Sequence, residues 1–194
     1  MKSIKLTSII VGLLFLVSTV TFMIGGSLIK SFLADEIQSK SILFLGVILE
    51  IICGVAVAGI GVLMLPILKM FNKGLALGYV IFRVIECVVI IIGGIYLLSV
   101  LKLMWKYEMI VFVFTALGGL LFSYLLYQSK IIPRYLSALG IVGYSMLLLG
   151  VVVSLLSVFN INDGLGMLIY LPGGLFELFL PIWLFIKGFK SSAI

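Results

Sequence analysis

Gly78-Tyr79-Val80-Ile81-Phe82-Arg83-Val84-Ile85-Glu86 is a run that contains an arginine and a glutamate and is otherwise apolar enough to cross a membrane. A charge at the centre of a bilayer costs between about 3 and more than 10 kcal/mol, so such residues normally face protein or water and usually mark function. On a helix, a spacing of three places Arg83 and Glu86 on one face, with Tyr79 four residues before Arg83 on the same face. The run therefore points to a site inside a membrane-spanning helix.

The composition is that of a membrane protein. Of the 194 residues, 64% are apolar and only 10% are charged, whereas a soluble domain is nearer half apolar. The charged residues fall in short clusters between long uncharged runs, which is typical of a chain that crosses the bilayer several times. Basic loops on one side of a membrane account for the net charge of +6. We predict no nucleic-acid binding, because no basic surface with interleaved aromatic residues lies outside the apolar runs.

Two residue types limit the chemistry. The chain contains no histidine, which excludes histidine-dependent hydrolase and zinc chemistry. Cys53 and Cys87 lie in the middle of apolar runs and are expected to be small buried side chains rather than a disulfide or a reactive pair. No motif for phosphate binding, for a serine nucleophile or for a metalloprotease appears. We therefore predict no metal site and no cofactor, and an enzymatic activity is the less favoured interpretation.

The apolar runs predict an all-α fold, a bundle of six transmembrane helices that makes up one domain, residues 1–194. The helices are placed at about residues 8–29, 41–68, 75–100, 109–127, 135–159 and 165–186. The first run is about 22 residues long and lacks a small-residue cleavage site, so we expect a helix rather than a cleaved signal peptide. Trp105 and Tyr107, just before the fourth helix, are expected in the aromatic belt at the membrane surface.

Glycine pairs within the runs predict where helices pack closely. Gly54 with Ala58, Gly118 with Gly119, and Gly140 with Gly143 would each leave a helix surface without bulky side chains. Small residues of this kind let the backbones of membrane helices approach each other. We interpret these positions as helix-packing surfaces.

The loop charges predict the orientation. The N-terminus, the 69–73 turn, the 130–134 turn and the C-terminal tail carry lysine or arginine and no acid. In the loops on the other side, Lys30, Lys40, Lys102 and Lys106 are balanced by Asp35, Glu36, Glu108 and Asp163. By the positive-inside rule, both termini are predicted to be cytoplasmic, in a multi-pass protein of the plasma or inner membrane.

Glu50, Arg83, Glu86 and Glu177 are the ionisable side chains within the predicted helices. At about 1.5 Å per residue, Glu50 lies roughly 13 Å and Glu177 roughly 17 Å below the outer ends of their helices, and Glu86 is at a similar depth. Because lipid offers none of them a partner, they should converge on one enclosed site. Such a site would carry excess negative charge, so either one or two glutamates are protonated or a cation is bound.

The sixth helix contains a second signal beside Glu177. Pro172-Gly173-Gly174 falls about a turn before this glutamate, and Pro181 lies four residues after it. Proline removes a backbone hydrogen bond and clashes with the preceding turn, so local unwinding is expected there. Interrupted helices at the membrane midplane are typical of transporters, because the freed carbonyls and helix ends can coordinate ions.

Three separated segments share their pattern with a known family. They are Gly-Tyr-x-x-Phe-Arg-x-x-Glu at 78–86, Ser-x-x-Ile-Pro-Arg-x-Leu-Ser-x-x-Gly-x-x-Gly at 129–143, and Glu177 followed by Trp183, Lys187, Gly188 and Phe189. In these segments, and in the position of Glu50, the chain resembles the bacterial integral-membrane family catalogued as domain of unknown function 4386. The resemblance implies a multi-span bacterial inner-membrane protein, and it supplies no catalytic residues.

Three functional hypotheses remain open. The first is the binding or transport of a small molecule or ion, coupled to a proton or cation, at a site formed by Tyr79, Arg83, Glu86, Glu50, Glu177, Pro172, Gly173 and Gly174. The second is an intramembrane enzyme acting on a lipid or isoprenoid, with a glutamate as general acid or base and Arg83 on a phosphate. The third is a structural or accessory subunit in which the charges only hold helices together. The expected partners are the lipid bilayer and a proton, small cation or amphipathic small molecule, and the oligomeric state stays open.

Overall fold

The computed structural model describes residues 2–34, 39–156 and 164–190. Its elements are α1 (Lys2–Leu33), α2 (Lys40–Leu68), α3 (Lys73–Val100), α4 (Tyr107–Ser129), α5 (Arg134–Leu155), a 3₁₀ segment (Gly164–Tyr170) and α6 (Leu171–Ile186). No strand occurs among these residues. Six spans in the described part of the chain are long and apolar enough to cross a membrane, the sixth including part of the 3₁₀ segment. The predicted all-α, six-span fold is confirmed.

The helices extend beyond the apolar runs at several ends. Lysines flank these runs, and α1 continues through them because helical backbone hydrogen bonds do not require apolar side chains. The start of α3 is capped by the Asn72 side chain, which accepts a hydrogen bond from the backbone N–H of Leu75 at 3.0 Å. In contrast, α5 ends at Leu155, short of the predicted end. The acidic loop residues Asp35, Glu36 and Asp163 and the last four residues of the tail lie outside the described residues.

The helices form a closed ring. Each one packs against its neighbours in sequence, and α6 packs against α1. The backbone N–H of Lys190, after α6, donates to the carbonyl of Ile131, between α4 and α5, at 2.9 Å. This end of the bundle, called the basic face below, carries Lys5, Lys69, Lys73, Lys130, Arg134, Lys187 and Lys190. The opposite face carries Lys30, Lys40, Lys102, Lys106 and Glu108.

Apolar side chains cover the outside of the ring. Val62, Ile81 and Leu149 are more than half exposed although they lie within the membrane-spanning helices α2, α3 and α5. In water, such a surface would be an aggregation hazard, whereas hydrocarbon is as apolar as these side chains. The outer surface of the ring is therefore in contact with the lipid bilayer.

Stacked aromatic side chains fill the centre of the ring on the side of the basic face. Phe15 of α1 stacks on Phe122 of α4 at a centroid distance of 5.8 Å, and Tyr79 of α3 stacks on the same ring at 4.9 Å. All three side chains are buried. We call Phe15, Tyr79 and Phe122 the central stack. Because α1 and α4 lie on opposite sides of the ring, the central stack closes the interior of the bundle with side chains.

The predicted packing role of Gly140 and Gly143 is confirmed. A Cβ at Gly143 would collide with the backbone of Gly173 on α6, and one at Gly140 would meet the Phe176 ring at 3.0 Å. A Cβ at Gly54 of α2 would likewise lie 3.3 Å from the Cα of Cys87 on α3. The missing side chains allow α5 and α6 to come close enough to position Glu177.

We expect Gly143→Ala to lower the stability of the protein in detergent by about 1–3 kcal/mol, because the added methyl group must push α5 away from α6. The matched control is Gly174→Ala, at which a Cβ meets no atom within 4 Å. This control should be neutral or stabilising by up to about 1 kcal/mol, since alanine is the better helix former. Thermal unfolding of both variants measures the difference, and equal melting temperatures would contradict the close approach of α5 and α6.

Candidate functional site

Arg83 and Glu86 form an ion pair inside the bundle. One terminal guanidinium nitrogen of Arg83 lies 2.7 Å from Glu86 Oε2, and each residue is 4% exposed. The spacing of three on α3 produces this contact directly, as the sequence predicts. Because both charges are removed from water and lipid, each depends on the other for its neutralisation.

Two glycines on neighbouring helices make room for the arginine. A Cβ at Gly61 of α2 would lie 3.4 Å from Arg83 Cβ, and one at Gly118 of α4 would lie 3.2 Å from Arg83 Nε. A Cβ at Gly118 would press on the arginine, which is held by its partner Glu86, whereas one at Gly61 would reach ordinary van der Waals contact. Gly118, expected as a packing residue, thus borders the site itself.

Thr115 of α4 completes the surroundings of Glu86. Its hydroxyl oxygen lies 2.6 Å from Glu86 Oε1 and 3.0 Å from the carbonyl oxygen of Val111. A hydroxyl has one hydrogen, so it can donate in only one of these two contacts. The contact with Glu86 is the shorter of the two, and there the hydroxyl donates to the carboxylate that is paired with Arg83.

Glu177 of α6 is held by hydroxyl groups from the two helices beside it. The Tyr144 hydroxyl of α5 donates to Oε1 at 2.8 Å, and the Thr19 hydroxyl of α1 donates to Oε2 at 3.4 Å. A Cβ at Gly119 would overlap the ring of Tyr144, so this glycine leaves space for the tyrosine. Glu177 also interacts electrostatically with Arg83 and Glu86, which places all three in one cluster, called the central cluster below.

The burial of Glu177 has two aspects. Protein atoms surround its carboxyl group densely, yet the residue is only half-buried, as are Thr19 and Thr115. Glu177, Thr19 and Thr115 are thus polar groups inside the bundle that neighbouring side chains do not fully cover.

Glu50 lies apart from the central cluster. It accepts a hydrogen bond of 3.0 Å from the hydroxyl of Tyr107, at the start of α4. The charged residues that interact electrostatically with its carboxyl group are Glu108 and Lys30. Those two form a half-exposed ion pair at 3.5 Å near the opposite face. The structure thus brings Arg83, Glu86 and Glu177 together, while Glu50 belongs to a second polar group on the side of the opposite face.

The aromatic-belt prediction for Tyr107 is wrong. Tyr107 is 6% exposed whereas Trp105 is 78% exposed, so only the tryptophan has the exposure that a belt position requires. A Cβ at Gly93 of α3 would overlap the Tyr107 ring, which shows that the tyrosine occupies a notch in that helix. It turns inward because this notch accepts its ring and Glu50 accepts its hydroxyl hydrogen.

Two buried donors in the central cluster have no hydrogen-bond partner among the described residues. They are the Tyr79 hydroxyl and Arg83 Nε, on residues that are 0% and 4% exposed. The guanidinium carbon lies 5.5 Å from the centroid of the Tyr79 ring, so the two side chains are adjacent. Buried donors without acceptors are uncommon in folded proteins, and they require an explanation.

The predicted interruption of the sixth span lies slightly before Pro172. The 3₁₀ geometry ends at Tyr170 and α6 begins at Leu171, with Pro172 in its first turn, where a missing N–H costs nothing. Pro181 lies within α6. Gly173 contacts α5, while Gly174 borders open space. These three residues therefore start the helix that carries Glu177, and they bring no polar side chain to the cluster.

Sequence reasoning missed Tyr144, Thr115, Thr19 and the inward role of Tyr107. Each is a hydroxyl-bearing residue inside or at the end of an apolar run. Their position gave no distinguishing signal, because other hydroxyl-bearing residues, such as Thr21, also lie inside apolar runs. Among the described residues, no three Cys, Asp or Glu side chains are grouped as a metal site would require.

A comparison with protein-family models agrees with this architecture. The model described as domain of unknown function (DUF4386) matches residues 10–108 and 101–188. The chain belongs to this family. Membership in DUF4386 carries no assigned activity, so the function has to be argued from the central cluster. Comparisons with curated proteins and with solved structures found no match.

We expect Arg83→Met to destabilise the protein by about 3–5 kcal/mol, because it leaves Glu86 buried without its counter-charge. Adding Glu86→Leu to this variant should restore part of the loss, since no unpaired charge then remains. The control is Lys30→Met, which breaks the half-exposed ion pair at a cost of about 0–1 kcal/mol. Thermal unfolding in detergent distinguishes these outcomes. A double variant less stable than Arg83→Met would contradict a self-contained Arg83–Glu86 pair.

Proposed function

We propose that this membrane protein binds a small cation or cationic small molecule at Glu177, in exchange for a proton, and carries it across the bilayer. The observation that supports this most directly is the charge balance of the central cluster. The charge of Arg83 is taken up by Glu86 at 2.7 Å. Glu177 receives two neutral hydroxyl donors, and it forms no ion pair with a described residue.

The excess charge has to be compensated. An ionised carboxylate within the hydrocarbon region is stable only with a counter-charge, and without one it takes up a proton. Hydroxyl donors stabilise the carboxylate but do not neutralise it. Proton and cation therefore compete for Glu177, and this competition is the basis of proton-coupled exchange.

Two aromatic layers support a carrier rather than a simple binding protein. The central stack lies between the cluster and the basic face. On the other side, Phe112 of α4 contacts both Phe22 of α1, at a centroid distance of 6.1 Å, and Tyr170 of the 3₁₀ segment, at 5.5 Å. The cluster thus lies between two layers of side chains. Opening one layer at a time would expose Glu177 to one side of the membrane, as alternating access requires.

The competing hypotheses fit the geometry less well. For an enzyme acting on a phosphorylated lipid, Arg83 would have to hold the phosphate, but it is paired with Glu86 and 4% exposed. For a purely structural cluster, every buried polar group should be satisfied by the protein itself. The Tyr79 hydroxyl, whose hydrogen has no acceptor among the described residues, does not fit that expectation.

We also propose that the protein lies in the plasma or inner membrane of a bacterium with both termini in the cytoplasm. The support is the charge asymmetry between the basic face, which carries no acid among its described residues, and the opposite face, where lysines accompany Glu108. Cytoplasmic loops are enriched in lysine and arginine. The basic face is therefore assigned to the cytoplasm.

A proton-release measurement tests the exchange. Adding sodium, potassium or ethylammonium chloride to the purified protein in weakly buffered detergent solution should release protons, detected with a pH-indicator dye. Glu177→Gln should reduce the release to the background level, because an uncharged amide neither releases a proton nor neutralises a cation. Glu108→Gln, which removes a carboxyl group near the opposite face, is the control and should retain the release. Release that is undiminished in Glu177→Gln, or absent from the unmodified protein with every salt, would refute the proposal.

The orientation is tested with fusions to the C-terminus. A fluorescent protein that matures only in the cytoplasm should be fluorescent there, and alkaline phosphatase, which is active only outside the cytoplasm, should be inactive. Fusions after residue 104, between α3 and α4, should give the reverse pattern, because this loop lies at the opposite face. High phosphatase activity at the C-terminus would contradict the assignment.

A further inference from the structure

We infer that the ligand of the central cluster is a small amine that also carries an uncharged hydrogen-bond acceptor, such as a hydroxyl, ether or carbonyl oxygen. The ammonium group would lie against Glu177 and the acceptor against the Tyr79 hydroxyl. This inference rests on the proposed function and adds the chemical class of the ligand.

The requirement for an acceptor follows from the Tyr79 hydroxyl. The group is buried without a hydrogen-bond partner of good geometry among the described residues, on a residue that is 0% exposed. Arg83 lies beside it and can donate to the hydroxyl oxygen, but a guanidinium cannot accept the hydrogen of the tyrosine. That hydrogen therefore lacks an acceptor, which an oxygen atom of a ligand would provide.

The Tyr79 hydroxyl lies beside the cluster that contains Glu177. Tyr79 interacts with Arg83 and Glu86, and Tyr144 interacts with Tyr79, Arg83 and Glu177. Tyr144, whose hydroxyl is bonded to Glu177, thus connects Tyr79 with the carboxylate. One small molecule would therefore pair with the Tyr79 hydroxyl and the carboxylate together.

The charge of the cluster limits the ligand to a monocation. Arg83 and Glu86 cancel, which leaves one negative charge on Glu177, so an ammonium group restores neutrality. A carboxylate or phosphate as the acceptor would reintroduce the excess negative charge in a medium that does not solvate it. The acceptor is therefore uncharged. The rings of Tyr144 and Phe176 pack edge to face with their centroids 5.9 Å apart. They provide an aromatic environment that favours ammonium groups.

Three probes of nearly equal size test this class. Ethanolamine, as its ammonium ion, carries both groups, ethylamine carries only the ammonium, and ethylene glycol carries only the oxygens. Isothermal titration of the purified protein in detergent should show that ethanolamine binds at least about fivefold more tightly than ethylamine, because only ethanolamine satisfies a buried donor. Ethylene glycol should not bind measurably.

Three conservative variants locate the contacts. Tyr79→Phe should remove most of the preference for ethanolamine while leaving the affinity for ethylamine within about twofold, since only the acceptor contact is lost. Glu177→Gln should abolish the binding of both amines. Tyr107→Phe is the matched control, because its hydroxyl is bonded to Glu50 outside the central cluster, and it should preserve the preference. Circular dichroism and melting temperature verify that each variant is folded.

The outcomes separate the two proposals. If Glu177→Gln abolishes ethylamine binding but the unmodified protein does not prefer ethanolamine, the inferred ligand class is wrong and cation binding at Glu177 stands. If Glu177→Gln binds both amines normally, the proposed function itself fails. A preference that survives Tyr79→Phe would also overturn the inference.

The same amine chemistry could belong to a free solute or to a lipid headgroup. Titrations in nanodiscs of phosphatidylglycerol, with and without added phosphatidylethanolamine, distinguish these sources. An affinity for ethanolamine that is the same in both kinds of nanodisc supports a free amine as the ligand. Competition by phosphatidylethanolamine would overturn the requirement for an uncharged acceptor, because that headgroup carries a phosphate.

Discussion

A charge cannot remain uncompensated in hydrocarbon, and the interior of this protein is built around that constraint. Arg83 is neutralised by Glu86 three residues later on the same helix, so α3 contains its own ion pair. The neighbouring helices then have to leave room for this pair and provide hydrogen-bond partners for its remaining polar atoms. Gly61 and Gly118 leave space beside the arginine, and Thr115 bonds to the glutamate. The packing of α2, α3 and α4 is therefore dictated by one buried pair.

Glu177 differs from this pair because no second charge is devoted to it. It reaches the cluster only because α6 closes the ring against α1 and α5, whose Thr19 and Tyr144 donate to its two oxygens. Glu50 belongs to a separate group with Tyr107, nearer the opposite face. The molecule thus contains a balanced ion pair, a carboxyl group beside it without a counter-charge of its own, and a further carboxyl group toward one surface.

The charged members of the site could be found from the sequence because a charge in an apolar run has no ordinary explanation. Hydroxyl groups are different. Ser99 donates to the carbonyl of Ile95 and Thr21 to that of Val17, each within its own helix, so a hydroxyl in a membrane helix needs no partner elsewhere. The sequence therefore cannot tell these residues from Tyr144 and Thr115, which use their hydroxyls between helices. The same ambiguity explains the wrong surface assignment of Tyr107.

The amino-acid sequence alone determined the six membrane crossings, the Arg83–Glu86 contact and the close packing at Gly143, because these depend on hydropathy, spacing and side-chain size within single helices. Only the tertiary structure decided that Glu177 joins Arg83 and Glu86 while Glu50 bonds to Tyr107. That choice depends on how each helix is rotated about its axis and which helices become neighbours when the ring closes. Those are properties of packing between helices, and no single apolar run contains them.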